Sequence, residues 1–183
     1  MKSKIITTIA VLSLFFVGCK DEKSLDSLEV VQPEEVIETN FKVTLDVIVK
    51  KDDDFSLFYT EDGSIDFSKI APIWVGVKGS ESSQKVVFNL PEGVKPTQFR
   101  IDFGMNEAQE DIVFESITMD YIGKSRVIGR PELVSFFRAD DSKCTFDHVT
   151  GVIKALVKDG KRQYPSLYPH ETMLLPEIEK LMN

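Results

Sequence analysis

From Phe41 the chain alternates without a break. Phe41, Val43, Leu45, Val47 and Val49 fall on one parity, while Lys42, Thr44, Asp46 and Lys50 fall on the other, with Ile48 the single apolar exception. Successive side chains of a strand point to opposite faces, so this pattern predicts a half-buried strand with its apolar face on a core. Asp52, Asp53 and Asp54 then turn the chain, and residues 55–60 read as a second, aromatic strand. Glu61-Asp62-Gly63-Ser64 supplies the next turn, its glycine suited to a positive φ.

The same reading predicts strands at 73–78, 84–90, 97–103, 112–119, 132–138 and 152–157. Turn clusters such as Gly79-Ser80-Glu81-Ser82-Ser83, Pro91-Glu92-Gly93 and Gly104-Met105-Asn106 separate them. Short strands with frequent turns, and no long 3.6-period segment before residue 170, argue for an antiparallel sandwich or barrel. A parallel α/β fold needs crossover helices that this pattern lacks. In 112–119 the apolar parity switches from Ile112 and Phe114 to Ile117 and Met119, which predicts a β-bulge or a strand that changes sheets.

Beyond residue 160, Pro165, Pro169 and Pro176 alternate with Tyr164, Leu167 and Tyr168. Proline donates nothing to a ladder, so the expectation is an extended segment lying across the sandwich with its tyrosines as pegs. A short helix over 177–182, opened by Pro176, ends the chain.

The N-terminus is of another kind. Lys2 and Lys4 precede an uncharged run from Ile5 to Val17, the layout of a cleavable secretory signal. A membrane-crossing helix needs about 20 apolar residues, more than this run holds. Phe16-Val17-Gly18-Cys19 resembles the lipobox of bacterial lipoproteins, with Phe16 where leucine is usual. The resemblance implies that Cys19 is acylated with palmitate-type chains and becomes the mature N-terminus. Each buried CH₂ of such chains contributes about 0.8 kcal/mol of membrane affinity. Lys20-Asp21-Glu22-Lys23 follows, similar to the surface-export signal of Bacteroidetes-type lipoproteins, which implies an outward-facing address on the outer membrane. Residues 20–40 hold seven acids against two lysines and read as a disordered acidic linker.

Charge narrows the partners. Loss of residues 1–18 removes two lysines and moves the formal charge from −8 to −10, a balance opposed to binding a nucleic-acid backbone or an anionic leaflet. With Cys19 used for lipid, only Cys144 remains, so no intrachain disulfide can form and the fold stands on its core.

Candidate chemistry is sparse. Cys144 and His148 lie four apart in a segment that favours strand or loop, and nothing marks an orienting base for a thiolate. No further ligands stand at zinc-motif spacing, and the Asp52–Asp54 and Asp62 cluster matches no EF-hand loop and reads as a solvated turn. Neither a metal nor a cofactor is expected, nor an enzyme. The segment from Phe99 to Asn106 is more distinctive. Phe99, Ile101 and Phe103 point to the core, which leaves Arg100 and Asp102 on the opposite face, either in a cross-strand ion pair on a solvated face or, with Asn106, as sugar-facing groups. The candidate aromatic platforms are Trp74, Tyr59 and Tyr121, although Ile73 and Val75 beside Trp74 favour a core position for it.

The runs Asp54–Thr60, Val77–Gly79, Gln84–Pro91 and Phe99–Asp102 are together similar to β-sandwich modules of bacterial cell-surface polysaccharide proteins and to carbohydrate-binding jelly rolls. The resemblance covers about 80 residues of strand and turn chemistry. It implies a jelly-roll fold and glycan contact, and carries over no defined binding residue. The expected organisation is therefore a signal peptide over 1–18, a lipidated acidic linker over 19–40, and an all-β, antiparallel β-sandwich domain over 41–183 with a short C-terminal helix. Its expected role is non-catalytic binding of glycan at the cell surface, or else docking on another envelope protein.

Overall fold

A computed structural model describes residues 39–183. The signal segment, Cys19 and the linker up to residue 38 lie outside the described residues. The described residues form one compact unit.

The predicted alternation at Phe41 forms β1 (Lys42–Ile48), in which Val43, Leu45 and Val47 are completely buried. It is followed by β2 (Asp53–Thr60), β3 (Ile73–Val77), β4 (Gln84–Asn89), β5 (Gln98–Asp102) and β6 (Ile112–Tyr121). The chain then forms β7 (Lys124–Gly129), α1 (Arg130–Phe136), β8 (Phe137–Ala139), β9 (Cys144–Asp147) and β10 (Val152–Ala155). Last come β11 (Val157–Lys158), β12 (Lys161–Arg162), β13 (Ser166–Pro169) and α2 (Glu171–Met182). Two large antiparallel sheets result, beside a two-stranded β11-β12 hairpin. One runs β4-β1-β6-β10-β9 with β7 also on β6, and the other runs β3-β2-β5-β13-β8. Their apolar faces share a single core, in which Phe103 at the end of β5 meets Phe55 of its own sheet and Phe114 of the other. This is the expected all-β sandwich with a C-terminal helix.

The parity switch in β6 is a bulge. Asp46 of β1 faces Ser116 and Val47 faces Phe114, so Glu115 is the extra residue. The bulge lets one long strand serve two partners, β10 at Ile112 and Val113 and β7 from Ser116 to Tyr121. Glu115 itself pairs with Arg130 at the start of α1.

Three expectations need correction. The strand foreseen over 132–138 is mostly helix. Gly129 caps α1, Pro131 stands in its first turn where a missing N–H costs nothing, and Leu133 and Phe136 are buried at i, i+3 spacing; only residues from Phe137 onward are strand. The proline-rich tail does not merely lie across the sandwich, because β13 is inserted between β5 and β8. Pro165 and Pro169 sit outside or at the end of its four residues, which leaves the interior N–H groups free to pair. The terminal helix begins at Glu171, not at Pro176. Leu174, Ile178 and Leu181 give it a buried stripe, while Pro176 and Thr172, whose carbonyl loses its donor, both face outward.

β7 was not foreseen because its turn hides its signal. Tyr121 pairs with Lys124 across a two-residue loop in which Ile122 has φ 45° and Gly123 φ 74°. Two-residue hairpins favour asparagine or glycine at such positions, whereas a β-branched residue is strained there. Ile122 is also exposed, so its side chain contributes little packing. Ile122→Asn is therefore expected to raise stability by about 1 kcal/mol in urea denaturation, the size of the left-handed penalty removed; a loss of stability would show that Ile122 packs in solution.

Candidate functional site

Alternation in the second sheet sends Phe55, Leu57, Phe99, Ile101 and Leu167 into the core. The same alternation presents Ser56, Phe58, Trp74, Arg100, Asp102, Ser166, Tyr168 and Arg138 on the outer face. The register fixes one row across four strands: Trp74 lies opposite Ser56, Ser56 opposite Asp102, and Asp102 opposite Ser166. Trp74 is 50% exposed, against the core position that its apolar neighbours favour. The inward side of β3 is taken by Ile73, Val75 and Val77, so the residues beside Trp74 fill the core and leave the indole outside.

One pleat along, Arg100 organises a second row. Its Nε and Nη2 donate to the two oxygens of Asp102, each at 2.9 Å, and Nη1 donates to the Tyr168 hydroxyl at 3.3 Å. The guanidinium lies 3.8 Å from the Phe58 ring centre and within 5.6 Å of those of Phe67 and Tyr168. Arg100 thus spends most of its donors on the protein. Its effect is to hold the Asp102 carboxylate in one orientation, with lone pairs to spare. Tyr168 carries a second guanidinium, that of Arg138, 5.3 Å from its ring centre.

The face is closed at one end and open at the other. Residues 61–72 fold over it, burying Phe67 against Tyr168, and Thr60 Oγ1 donates to the carbonyl of Ser64 at 2.7 Å. Gln98 Nε2 reaches the first carbonyl of α2 at 3.0 Å. Beyond the Trp74 row, Asp54 pairs with Gly76, and the surface dips into an open groove of about 540 Å³ whose lining includes Met105 and Asn106.

Two hydroxyls in the row are anomalous. Ser56 and Ser166 are each 1% exposed, yet neither Oγ has a hydrogen-bond partner among the described residues. A buried polar group left unpaired costs about 1–3 kcal/mol, and here two of them flank the same carboxylate.

Of the residues picked from sequence, the structure brings Trp74, Arg100 and Asp102 onto this face and places Asn106 on the adjoining groove. Arg100 and Asp102 do form an ion pair, but along one strand rather than across two. Asn106 is occupied: its Nδ2 donates to the Asp52 carbonyl at 2.8 Å and its Oδ1 accepts the Ala108 N–H at 2.9 Å. Tyr59 lies on the opposite side of β2, within the core, and Tyr121 packs on Phe41 at the end of the other sheet. Cys144 is fully buried, burial pushes its thiol up, and its Sγ donates to the Ser166 carbonyl at 3.5 Å. His148 is exposed in the following turn.

Sequence reasoning missed Ser56, Ser166, Tyr168 and Arg138. Ser56 faces Trp74 and Asp102 through the pairing of β2 with β3 and β5, and Ser166, Tyr168 and Arg138 join this face only through the insertion of β13, which no local pattern announces. It also took Asp53 for part of a solvated turn. Asp53 is buried, and its Oδ1 accepts the N–H groups of Asp54, Met105 and Asn106 at 2.8–3.0 Å, while Oδ2 accepts Gln109 Nε2 at 3.1 Å. Asp52 next to it is exposed, its carboxyl held below the usual range by the Gly79 N–H and by Lys78. No helix among the described residues is long and apolar enough to cross a membrane. Comparison of the chain with protein-family models, with curated proteins and with solved structures returns no match.

Proposed function

We propose that this chain is a non-catalytic glycan-binding module, carried on the outer membrane by lipid on Cys19, and that the outer face of β3-β2-β5-β13-β8 is its binding surface. The observation that carries the reading is the row Trp74–Ser56–Asp102–Ser166. A pyranose has an apolar face and an equatorial rim of hydroxyls. A half-exposed indole suits the face, and a rigid carboxylate with free lone pairs suits the rim. Ligand sites combine apolar surface with a few fixed polar groups, which is the composition of this row. The two unpaired serine hydroxyls add to the argument, because a sugar that shifts Trp74 or Asp102 gives them the partners they lack. Preorganisation of Asp102 by Arg100 reduces the ordering cost of binding.

The test is a printed glycan array probed with residues 39–183, the compact unit that contains the whole core. Wild type is expected to bind a subset of oligosaccharides, and Trp74→Ala to weaken that binding at least tenfold. Because Trp74 is half exposed, its melting temperature should stay within about 5 °C of wild type. Unchanged binding by Trp74→Ala would remove this face from consideration. Silence of wild type across the array, with an envelope protein co-purifying, would replace glycan by a protein partner.

A further inference from the structure

We infer that the glycan is an acidic oligosaccharide, extended across the strands from Trp74 to Arg138, with a carboxylate or sulfate on Arg138. The inference rests on the glycan reading of this face and specifies the ligand's charge and length.

The charges on the face are unequal. Arg100 and Asp102 neutralise each other through two hydrogen bonds. Beyond β8, Asp140 is engaged by Ser142 and by Lys143 at 3.5 Å. Asp52 at the groove is paired with Lys78 at 2.7 Å. Arg138 is different: it is exposed and lies over the ring of Tyr168, and among the described residues no carboxylate pairs with it. That ring is itself pinned by Arg100 through the tyrosine hydroxyl. The result is a cation seated against a pinned ring, with donors that make no hydrogen bond among the described residues, the arrangement in which a guanidinium takes a planar oxyanion in a two-pronged grip. At the opposite end Asp52 is already paired with Lys78 and Asp54 is an exposed acid, which leaves Arg138 as the favoured place for an anionic group.

Length follows from the sheet. Trp74 is on β3 and Arg138 on β8, the two edges of a five-strand order. Four inter-strand spacings of about 4.8 Å separate them by about 19 Å. A single sugar ring covers one indole and cannot also reach Arg138. A chain of several rings crosses the half-buried Asp102 on the way, passing the end at which Phe67 and residues 61–72 close the face.

The experiment is calorimetric titration of the full chain with three probes of equal length: an oligogalacturonate, the same oligomer with its carboxylates reduced to hydroxymethyl groups, and a sulfated heparin oligosaccharide. The expected result is at least tenfold tighter binding of one or both anionic probes than of the reduced one, diminishing with added salt. The uronate and heparin arms tell which anion Arg138 prefers. In Arg138→Gln the advantage of the anionic probes over the reduced one should vanish, and Arg138→Lys should recover part of it. Equal affinity of wild type for charged and reduced probes would overturn the inference and leave the glycan reading standing. So would a charge preference that survives in Arg138→Gln. If wild type binds none of the three and is silent on the array, the glycan reading fails and this inference falls with it.

Discussion

Phe103→Ala is expected to remove about 3–5 kcal/mol of folding stability, the usual range for truncating a fully buried phenylalanine. The ring is completely buried at the point where the sheets meet. It packs edge-to-face on Phe55 with centroids 5.3 Å apart and on Phe114 at 5.5 Å, so one side chain joins the core residues of β2 and β6. Its backbone N–H donates to the Pro165 carbonyl at 2.8 Å, which anchors the segment leading into β13. Domains of this size hold about 5–15 kcal/mol in total, so the variant should stand close to unfolding at room temperature. Equilibrium urea denaturation measures the loss. A value below 1 kcal/mol would mean that the two sheets do not meet through this ring.

Asp53→Ala is expected to cost about 3 kcal/mol, although the residue it removes is polar and lies beside a turn. The carboxylate gathers four N–H donors, three of them from residues more than 50 positions away in sequence. Truncation leaves the amides of Met105 and Asn106 without an acceptor in a poorly solvated place, at about 1–3 kcal/mol for each before relaxation, while Gln109 Nε2 loses one acceptor and keeps the Lys51 carbonyl at 2.9 Å. The packing is as tight as the bonding. A Cβ on Gly104, whose φ is 80°, would come within 2.2 Å of the same carboxylate. Asp53→Asn keeps an oxygen where three of the four donors converge and should lose less than half as much. Hydrogen exchange at Met105 and Asn106 separates this from a general loss of stability, since these two amides should lose protection before the core strands do. Equal losses for alanine and asparagine would show that the carboxylate acts through charge rather than through acceptor geometry.

Asp53 also marks the limit of what the residues disclose in order. The alternation from Phe41 to Val49 fixed β1 and its inward face, and the parity slip around Glu115 disclosed the bulge, because each is a local consequence of period-two burial. α1 was obscured because Leu133 and Phe136 supply too few apolar positions in seven residues to separate period three from period two. α2 was shortened because Pro176 reads as a start, although the Leu174, Ile178 and Leu181 spacing was present. Arg100 and Asp102 were legible as a pair on one face, since alternation alone places them there. Trp74 was not, because apolar residues on both sides of it conceal which parity faces inward. The rest of the candidate site depends on strand order. Ser166 and Tyr168 are brought to Asp102 and Arg100 by a strand more than 60 residues later in the chain, and a solvated-looking aspartate becomes a buried clasp only when residues 104–109 fold onto it.

Trp74 is the single tryptophan of the sequence, so fluorescence of the full chain, excited beyond the tyrosine absorption, reports on the proposed binding face. Titration with neutral, uronate and sulfated oligosaccharides is expected to give a saturable blue shift of the emission for at least one of them, together with protection of the indole from iodide, as a sugar ring displaces water from it. An unshifted spectrum with undiminished quenching throughout all three series would contradict the assignment of this face to glycan.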